Sequence, residues 1–332
     1  MAVVPVATGV LQRADGRVLV SLRPEGKPWP GFWEFPGGKI EPGEAPEAAL
    51  TRELDEEIGI RVGHAELLLR RDHPYPERTV ALHFFRVRSW EGEPYGREGQ
   101  QIRWVYPWEI ASLNCLAPNL PVVAKLLAEE LPQPPLWLIA DPARVAAEQF
   151  LPALTAAIDG GLRGVILRVK EVVAPGLAAA MSVFLRQARE TGVQVFLNHP
   201  EPLPQWPCTG LHWTEARLRA ATHAPDLPFG VSCHSAECLE HAAELGARYA
   251  LLSPLFATQT HPDAVALGAE RFAEIVAPAA LPVIALGGMT PERVATARAS
   301  GAHGVAVLSG ILEAADPAVA TRAFLSAWDS HA

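Results

Sequence analysis

From residue 136 onward the chain repeats one pattern, a short and continuously apolar run followed by a longer amphipathic stretch. The apolar runs fall at 136–140, 164–169, 193–197, 210–213, 228–233, 249–255, 282–286 and 304–308. Helical stretches follow at 145–158, 177–190, 215–221, 236–245, 269–276, 291–299 and 317–328, and the third run is followed instead by a Pro-rich loop to Pro207. Strands without polar alternation must be covered on both faces, which a parallel sheet with helical crossovers provides. Eight such units suggest a TIM (β/α)8 barrel.

The stretch before that rhythm reads differently. Residues 131–135, LPQPP, form a short, semi-rigid Pro-rich linker. At 332 residues the chain has room for about two domains, so the expectation is an α/β two-domain protein: residues 1–130, the linker 131–135, and the barrel at 136–332. In the first domain, 3–11 reads as a strand, Asp15-Gly16 as a turn and 17–23 as its hairpin partner. A rigid aromatic loop at 29–38 leads into a helix, and strands are expected at 65–71, 79–90 and 102–106, with a helix at 120–130. That is a mixed sheet flanked by helices.

Composition excludes several classes. A net charge of −9 with no Lys/Arg cluster argues against a nucleic-acid groove or an anionic membrane surface. No apolar run reaches the ~20 residues that span a bilayer. Cys115, Cys208, Cys233 and Cys238 have no framework spacing, and MAVVPVATGVLQR lacks the features of a secretory signal. A soluble cytoplasmic protein with reduced thiols is expected.

The chemistry concentrates in residues 38–60, GKIEPGEAPEAALTRELDEEIGI. Pro46 suits a first helical turn and Gly59 a helix stop. On that helix Glu53, Glu56 and Glu57 stand at i, i+3 and i+4, so they share a face. Leu50, Leu54 and Ile58 form a neighbouring apolar stripe that would hold the helix to a core. Carboxylates this close raise one another's pKa unless a cation sits among them. Oxygen ligands without His or Cys suit Mg²⁺ or Mn²⁺, which bind substrate phosphates and acidify water. Arg52 is placed to orient a carboxylate by charge-assisted hydrogen bonds. The bland alternative is a solvated acidic helix face.

The same stretch matches the Nudix signature, G-x5-E-x7-R-E-U-x-E-E-x-G-U with U aliphatic, at every defined position. Residues 4–128 further resemble the MutT-type 8-oxo-dGTP diphosphatases, through WEFPGGK at 33–39, WEGEP at 90–94 with Glu98, and PNLP at 118–121. The resemblance implies a Nudix fold and metal-dependent conversion of a nucleoside triphosphate to monophosphate and diphosphate. It implies metal ligation by Glu53, Glu56, Glu57, Glu98 and the carbonyl of Gly37, with Glu53 or Glu98 as base. It also implies that Arg23 and Lys39 face the phosphates, that Asn119 reads the purine's polar edge, and that Glu34 and Phe35 line the base pocket. An amide offers donor and acceptor together, which suits an oxidised guanine.

Ligands of such barrels sit at the C-terminal strand ends, often with phosphate after strands seven and eight. Those ends read LGGM at 286–289 and VLSG at 307–310. With GVSCHS at 230–235 and SPLFATQTHP at 253–262, residues 135–330 resemble the thiamine-phosphate synthase/TenI family. The resemblance implies a pyrophosphate-facing pair, Arg168 and Lys170, and a thiazole-phosphate end at Thr258, Thr260, Gly287, Gly288 and Ser309. His199 and Arg217 stand where the synthases carry Asp residues for Mg²⁺, which predicts a barrel without synthase activity. His234 and His261 are candidate acid/base groups. Cys233, His234, Cys238 and His241 raise a zinc site but lack paired-cysteine spacing. Two functions follow as expectations. One is a nucleotide-pool diphosphatase with a thiazole-phosphate-binding barrel. The other is a thiamine-pathway protein, its barrel a tautomerase, synthase or ligand sensor and its first half hydrolysing pyrophosphorylated intermediates.

Overall fold

The computed structural model describes residues 2–169, 175–199, 202–203, 206–258 and 264–330. The chain divides after Val123 into two compact units. The first contains β1 (Ala2–Leu11), β2 (Val18–Leu22), β3 (Trp33–Glu34), β4 (Gly37–Lys39), α1 (Pro46–Ile58), β5 (Arg61–Pro74), β6 (Arg78–Glu91) and β7 (Ile102–Val105), and α2 (Leu120–Ala128) spans the point of division. One sheet is mixed, in the order β4-β1-β6-β5, with β1 parallel to β6; the other is antiparallel, β3-β2-β7.

Two expectations fail here. Residues 17–23 are not the hairpin partner of β1: the strands meet at one bridge, Gln12 to Val18, and then diverge. The connection at 13–17, closed by Arg13 N–H to Arg17 O at 2.9 Å, is longer than the two-residue turn that locks a hairpin. Both edges of β1 are taken instead, by β4 and by ten residues of β6. The aromatic stretch 29–38 is also only partly loop, because β3 pairs with β2 and β4 with β1.

Helix α1 forms where its sequence says it should. Pro46 occupies the first turn, where its missing N–H costs nothing, and Gly59 ends the helix at φ +70°. Ala49, Leu50, Leu54 and Ile58 are fully buried against Ala7, Leu11, Leu19 and Phe85. The stripe thus seats one face in the core and leaves the acidic face outward.

The second unit is a closed, all-parallel barrel. Its strands are β8 (Leu136–Ala140), β9 (Gly164–Arg168), β10 (Gln194–Asn198), β11 (Gly210–Trp213), β12 (Phe229–Cys233), β13 (Tyr249–Leu252), β14 (Val283–Ala285) and β15 (Gly304–Val307), in sequential order with β15 closing on β8. The crossovers are α3 (Ala147–Asp159), α4 (Pro175–Glu190), α5 (Glu215–Ala220), α6 (Ala236–Glu244), α7 (Gly268–Val276), α8 (Val294–Ala299) and α10 (Pro317–Asp329), with a four-residue helix α9 (Ser309–Leu312) before the last. Among the described residues, β10 is followed by no helix. No helix among them is long and apolar enough to cross a membrane. Leu131, inside the Pro-rich stretch, is buried in the barrel's core cluster.

Aromatic rings fill the barrel. Trp137 stacks on Tyr249 at 4.6 Å and Phe196 meets Tyr249 edge-on at 5.1 Å. His212, only 2% exposed, completes this layer, with Nδ1 3.1 Å from Tyr249 Oη and Nε2 2.8 Å from Ser232 Oγ. Both hydroxyls can donate or accept, so a neutral imidazole is satisfied there. Burial holds the His212 pKa down to about 3 and the His303 pKa down to about 4. An unfolded imidazole titrates near about 6.5, so below that pH the unfolded chain takes protons that the folded barrel refuses. The stability is therefore complete above about pH 6.5 and is lost as pH falls, by up to about 1.4 kcal/mol per pH unit for each such proton. Denaturant melts of the barrel should show a midpoint that drops between about pH 7 and pH 5 and a shallower drop in His212→Gln; equal midpoints across that range would contradict the assignment.

Candidate active site

Arg52 organises the acidic face of α1. Its Nε and Nη2 donate to the two oxygens of Glu44 at 3.0 and 2.9 Å, its Nη1 donates to Glu53 at 2.7 Å and Glu56 at 3.3 Å, and Nη2 also reaches the carbonyl of Lys39. The fork of a guanidinium can serve several carboxylates at once, which an ammonium cannot do in a fixed plane. Glu53 lies over the backbone of β4: a Cβ on Gly38 would fall 2.2 Å from Glu53 Oε2. That close approach is the reason a glycine stands at position 38.

Glu57 faces the other way. Its Oε2 accepts from the N–H of Gly37 at 3.0 Å, and its Oε1 lies 3.6 Å from Lys27 Nζ. Burial pushes its carboxyl up to about 7, with Gly37 N–H and Lys27 opposing and the charges of Glu34 and Glu98 adding. Lys27 Nζ also donates to Glu98 Oε2 at 2.5 Å, which ties the loop 91–101 to the acidic helix. Gln100 reinforces that tie, accepting from Glu98 N–H and donating to Glu57 O at 2.8 Å. Among the described residues, no three His, Cys, Asp or Glu side chains converge as ligands of one ion. Arg52 and Lys27 share the carboxylates between them instead.

A second group of residues gathers at β3. Arg23 does not reach toward open solvent: its Nη1 donates to both oxygens of Glu34 at 2.6 Å and its Nε to Pro28 O at 2.7 Å. Lys39 is exposed at the end of β4. Phe35 is buried with its ring edge-on to Phe84, and Asn119 is 4% exposed. The Asn119 amide donates to Cys115 Sγ at 3.9 Å, and Cys115 sits beside Trp33 in an isolated bridge. Burial pushes the Cys115 thiol up to about 12, against the Asn119 bond and with the charge of Glu34 adding. Cys115 therefore links Asn119 with the charge of Glu34, while Phe35, next to Glu34 in the chain, packs on Phe84.

The rim of the barrel carries paired charges. Arg168 Nη1 lies 3.5 Å from Asp141 Oδ2, which joins the ends of β8 and β9. Glu215 accepts from Arg219 at 2.7 Å and stands 2.7 Å from His234 Nδ1. Gly287 and Gly288 have φ +101° and +61°, and a Cβ on either would come within 2.6 Å of Pro254 or the carbonyl of Ala257. Thr258 is partly buried, and Ser309 is exposed at the start of α9. Arg217 lies over the Trp213 ring at 5.1 Å. Lys170, Thr260 and His261 lie outside the described residues. Cys233 and Cys238 are both free and buried, their sulfurs in mutual contact, while His234 turns to Glu215. The four residues considered for zinc thus do not converge.

Known proteins resemble each unit separately. The family described as thiamine monophosphate synthase matches residues 136–311, and the NUDIX domain family matches residues 7–125. An 8-oxo-dGTP diphosphatase of Haemophilus influenzae is 39% identical over 38% of this chain and 93% of its own length. A thiamine-phosphate synthase of a Roseiflexus species is 33% identical over 54% of this chain and 79% of its own. The chain belongs to both families, a Nudix hydrolase fused to a thiamine monophosphate synthase-type barrel. A solved structure of a thiamine phosphate pyrophosphorylase from Pyrococcus furiosus supports the barrel fold, with a TM-score of 0.51 and 23% identity over 59% of this chain and 96% of that one.

The Nudix unit is accordingly an enzyme that hydrolyses phosphoric anhydrides. Sequence reading missed Lys27, Gln100 and Cys115 in this unit, and His212 and Glu215 in the barrel. Lys27 sits in a polar turn and Gln100 in a polar loop, where no periodicity marks them. His212 carried a detectable signal, a polar residue inside an apolar strand. If Glu53 acts on the reacting water, Glu53→Gln keeps the shape beside Gly38 and removes the charge. Hydrolysis, read as phosphate or diphosphate released, should then fall by about 10²-fold or more with little change in melting temperature; near-normal turnover at saturating divalent metal would remove Glu53 from the chemistry.

Proposed function

We propose that the Nudix unit converts 8-oxo-dGTP, or a closely similar oxidised purine nucleotide, to its monophosphate and diphosphate, clearing the nucleotide pool used in DNA replication and repair. The observation that carries this reading is Asn119, a buried amide whose bond in this structure is a long one to the Cys115 thiol, on which the charge of Glu34 also acts. A site lined by such groups rejects the wrong base strongly, because buried polar atoms left unpaired are costly.

The residues present fit the divalent cation on which Nudix enzymes generally depend. Glu53, Glu56, Glu57 and Glu98, with the carbonyl of Gly37, offer only hard oxygen donors, which suits Mg²⁺ or Mn²⁺. Burial chiefly raises the Glu57 carboxyl, with the charges of Glu34 and Glu98 adding, and a bound cation would favour its ionised form. When bound, the cation would neutralise the phosphates and acidify the attacking water. The chain's own part is positional. Arg52 fixes Glu53 over Gly38, so that Glu53, or Glu98 on its loop, can take the proton as water attacks phosphorus. Arg23, shared with Glu34, and Lys39 lie on the phosphate side, and Asn119 with Glu34 and Phe35 holds the base. If Asn119 reads the purine edge, Asn119→Ala should erode the preference for 8-oxo-dGTP over dGTP more than it slows the better substrate. Equal losses on both nucleotides, measured as kcat/KM, would leave Asn119 a purely structural role.

For the barrel we propose binding of a thiazole phosphate without synthesis of thiamine phosphate. Expelling diphosphate requires a neutralising metal, and among the described residues at the rim Asp141 and Glu215 are each paired with cations, while Arg217 covers Trp213. At an effective dielectric of about 20, one misplaced charge a few ångströms away is worth ~4 kcal/mol, enough to empty a weak metal site. Thr258, Gly287, Gly288 and Ser309 supply a phosphate end free of that defect, with Arg168 retained nearby. Lys170 and Thr260 join this proposal from the sequence alone, as do His234 and His261 in any proton transfer. Calorimetry on the full chain should show thiazole phosphate binding, and incubation with both pathway substrates and Mg²⁺ should give no thiamine phosphate; steady product formation would sink the idea.

A further inference from the structure

Among the described residues Trp29 is the one non-glycine side chain with a positive φ, at +54°. L-residues avoid that conformation, and those held in it cluster at ligand clamps and active sites. Trp29 stands between Pro28 and Pro30, so the loop's path is stiff on both sides. The residue nevertheless stays 39% exposed, with part of its surface left open to a ligand. Its ring lies on Tyr75, with centroids 4.8 Å apart and planes 30° off parallel, and Tyr75 is braced edge-on by His73 at 4.7 Å. A large aromatic ring is thus held out from the surface on a strained and supported loop.

The loop is also tied to the nucleotide site. Arg23, which pairs with Glu34, donates its Nε to the carbonyl of Pro28, the residue before Trp29. Arg23 N–H and O bond the far side of the same loop at Phe32 and Gly31. The charges of Arg23 and Glu34 both act on the Tyr75 hydroxyl, which burial raises above its usual pKa. The aromatic pair therefore stands beside the residues assigned to the base.

We propose that Trp29 is a specificity-determining residue of the Nudix site: its indole, backed by Tyr75, is the platform on which the substrate's purine ring stacks while Asn119 and Glu34 meet its polar edge. The inference rests on the nucleotide reading and adds to it a residue that the signature does not contain. Stacking on an aromatic face is sequence-tolerant and responds to loss of the ring by about ten- to a hundred-fold in affinity. The phosphate end of the ligand should not respond, because its partners are the charged groups around α1.

Calorimetry on the full chain with Mg²⁺, using 8-oxo-dGMP and separately inorganic diphosphate, tests this. Trp29→Ala should weaken 8-oxo-dGMP binding by about ten-fold or more and leave diphosphate binding within about two-fold. Trp29→Phe keeps a π face and should retain most of the affinity. Trp29→Gly relieves the positive φ, so it should fold and bind diphosphate as the parent does, and should still lose the nucleotide; retained 8-oxo-dGMP affinity in it would overturn the platform. If the parent binds 8-oxo-dGMP and Trp29→Ala binds it equally well, the platform is overturned and the nucleotide reading stands. Parallel loss of 8-oxo-dGMP and diphosphate in Trp29→Ala also overturns it, as damage to the whole site. A parent chain that binds no purine nucleotide overturns the reading and the platform together.

Discussion

Charge compensation around Arg52 is the interaction on which the first unit depends. Three carboxylates, Glu44, Glu53 and Glu56, meet on one guanidinium, and a fourth, Glu57, is divided between a backbone N–H and Lys27. Without those cations the acidic face of α1 would repel itself and lift every carboxyl toward neutrality. The apolar stripe of the same helix fixes where this face points, because Leu50, Leu54 and Ile58 leave only one orientation that buries them. Packing therefore aims the site and the guanidinium holds it together. Arg52 and Lys27 thus hold the carboxylates of α1 and of the loop carrying Glu98 in place.

The barrel solves a different problem. Its interior is filled by Trp137, Phe196 and Tyr249 with a neutral imidazole among them, so the centre is a packed aromatic layer and chemistry is confined to the rim. The same desolvation that keeps His212 neutral removes it from any acid/base role near neutral pH. His234 is at the rim and accessible, but its Nδ1 faces Glu215, which orients the ring and leaves Nε2 outward.

Regular structure was legible because period decides it. The barrel strands could be read from unbroken apolar runs, and α1 from Pro46, Gly59 and a four-residue stripe. The signature's glycine at position 38 has a physical reason that only the structure shows, the Glu53 carboxylate lying where a Cβ would stand. Pairing partners were less legible. Strand β2 was assigned to β1 from proximity in sequence, whereas the decision lay in which strands could match ten residues of β1 edge to edge. Lys27 and Gln100 escaped because a loop residue has no period, and their shared partner Glu57 is 30 and 43 residues away. A polar group inside an apolar strand, His212, was the one missed residue whose sequence already announced it.

Strain and burial give complementary accounts of the proposed base pocket. Asn119 is buried with a long bond from its amide to a thiol, so on the proposed reading a ligand that brings both a donor and an acceptor would replace a weak partner with strong ones. Trp29 is strained and exposed, so its ring gains from a ligand that brings an apolar face. An oxidised purine carries both features on one rigid body, a polar edge and a flat π surface. A pyrophosphorylated thiamine intermediate offers smaller rings and a cationic or amino-bearing edge, which the Glu34 carboxylate could meet but for which the buried amide has no distinct use. The buried amide and the strained ring thus both suit the proposed purine, independently of the carboxylates that the signature supplies.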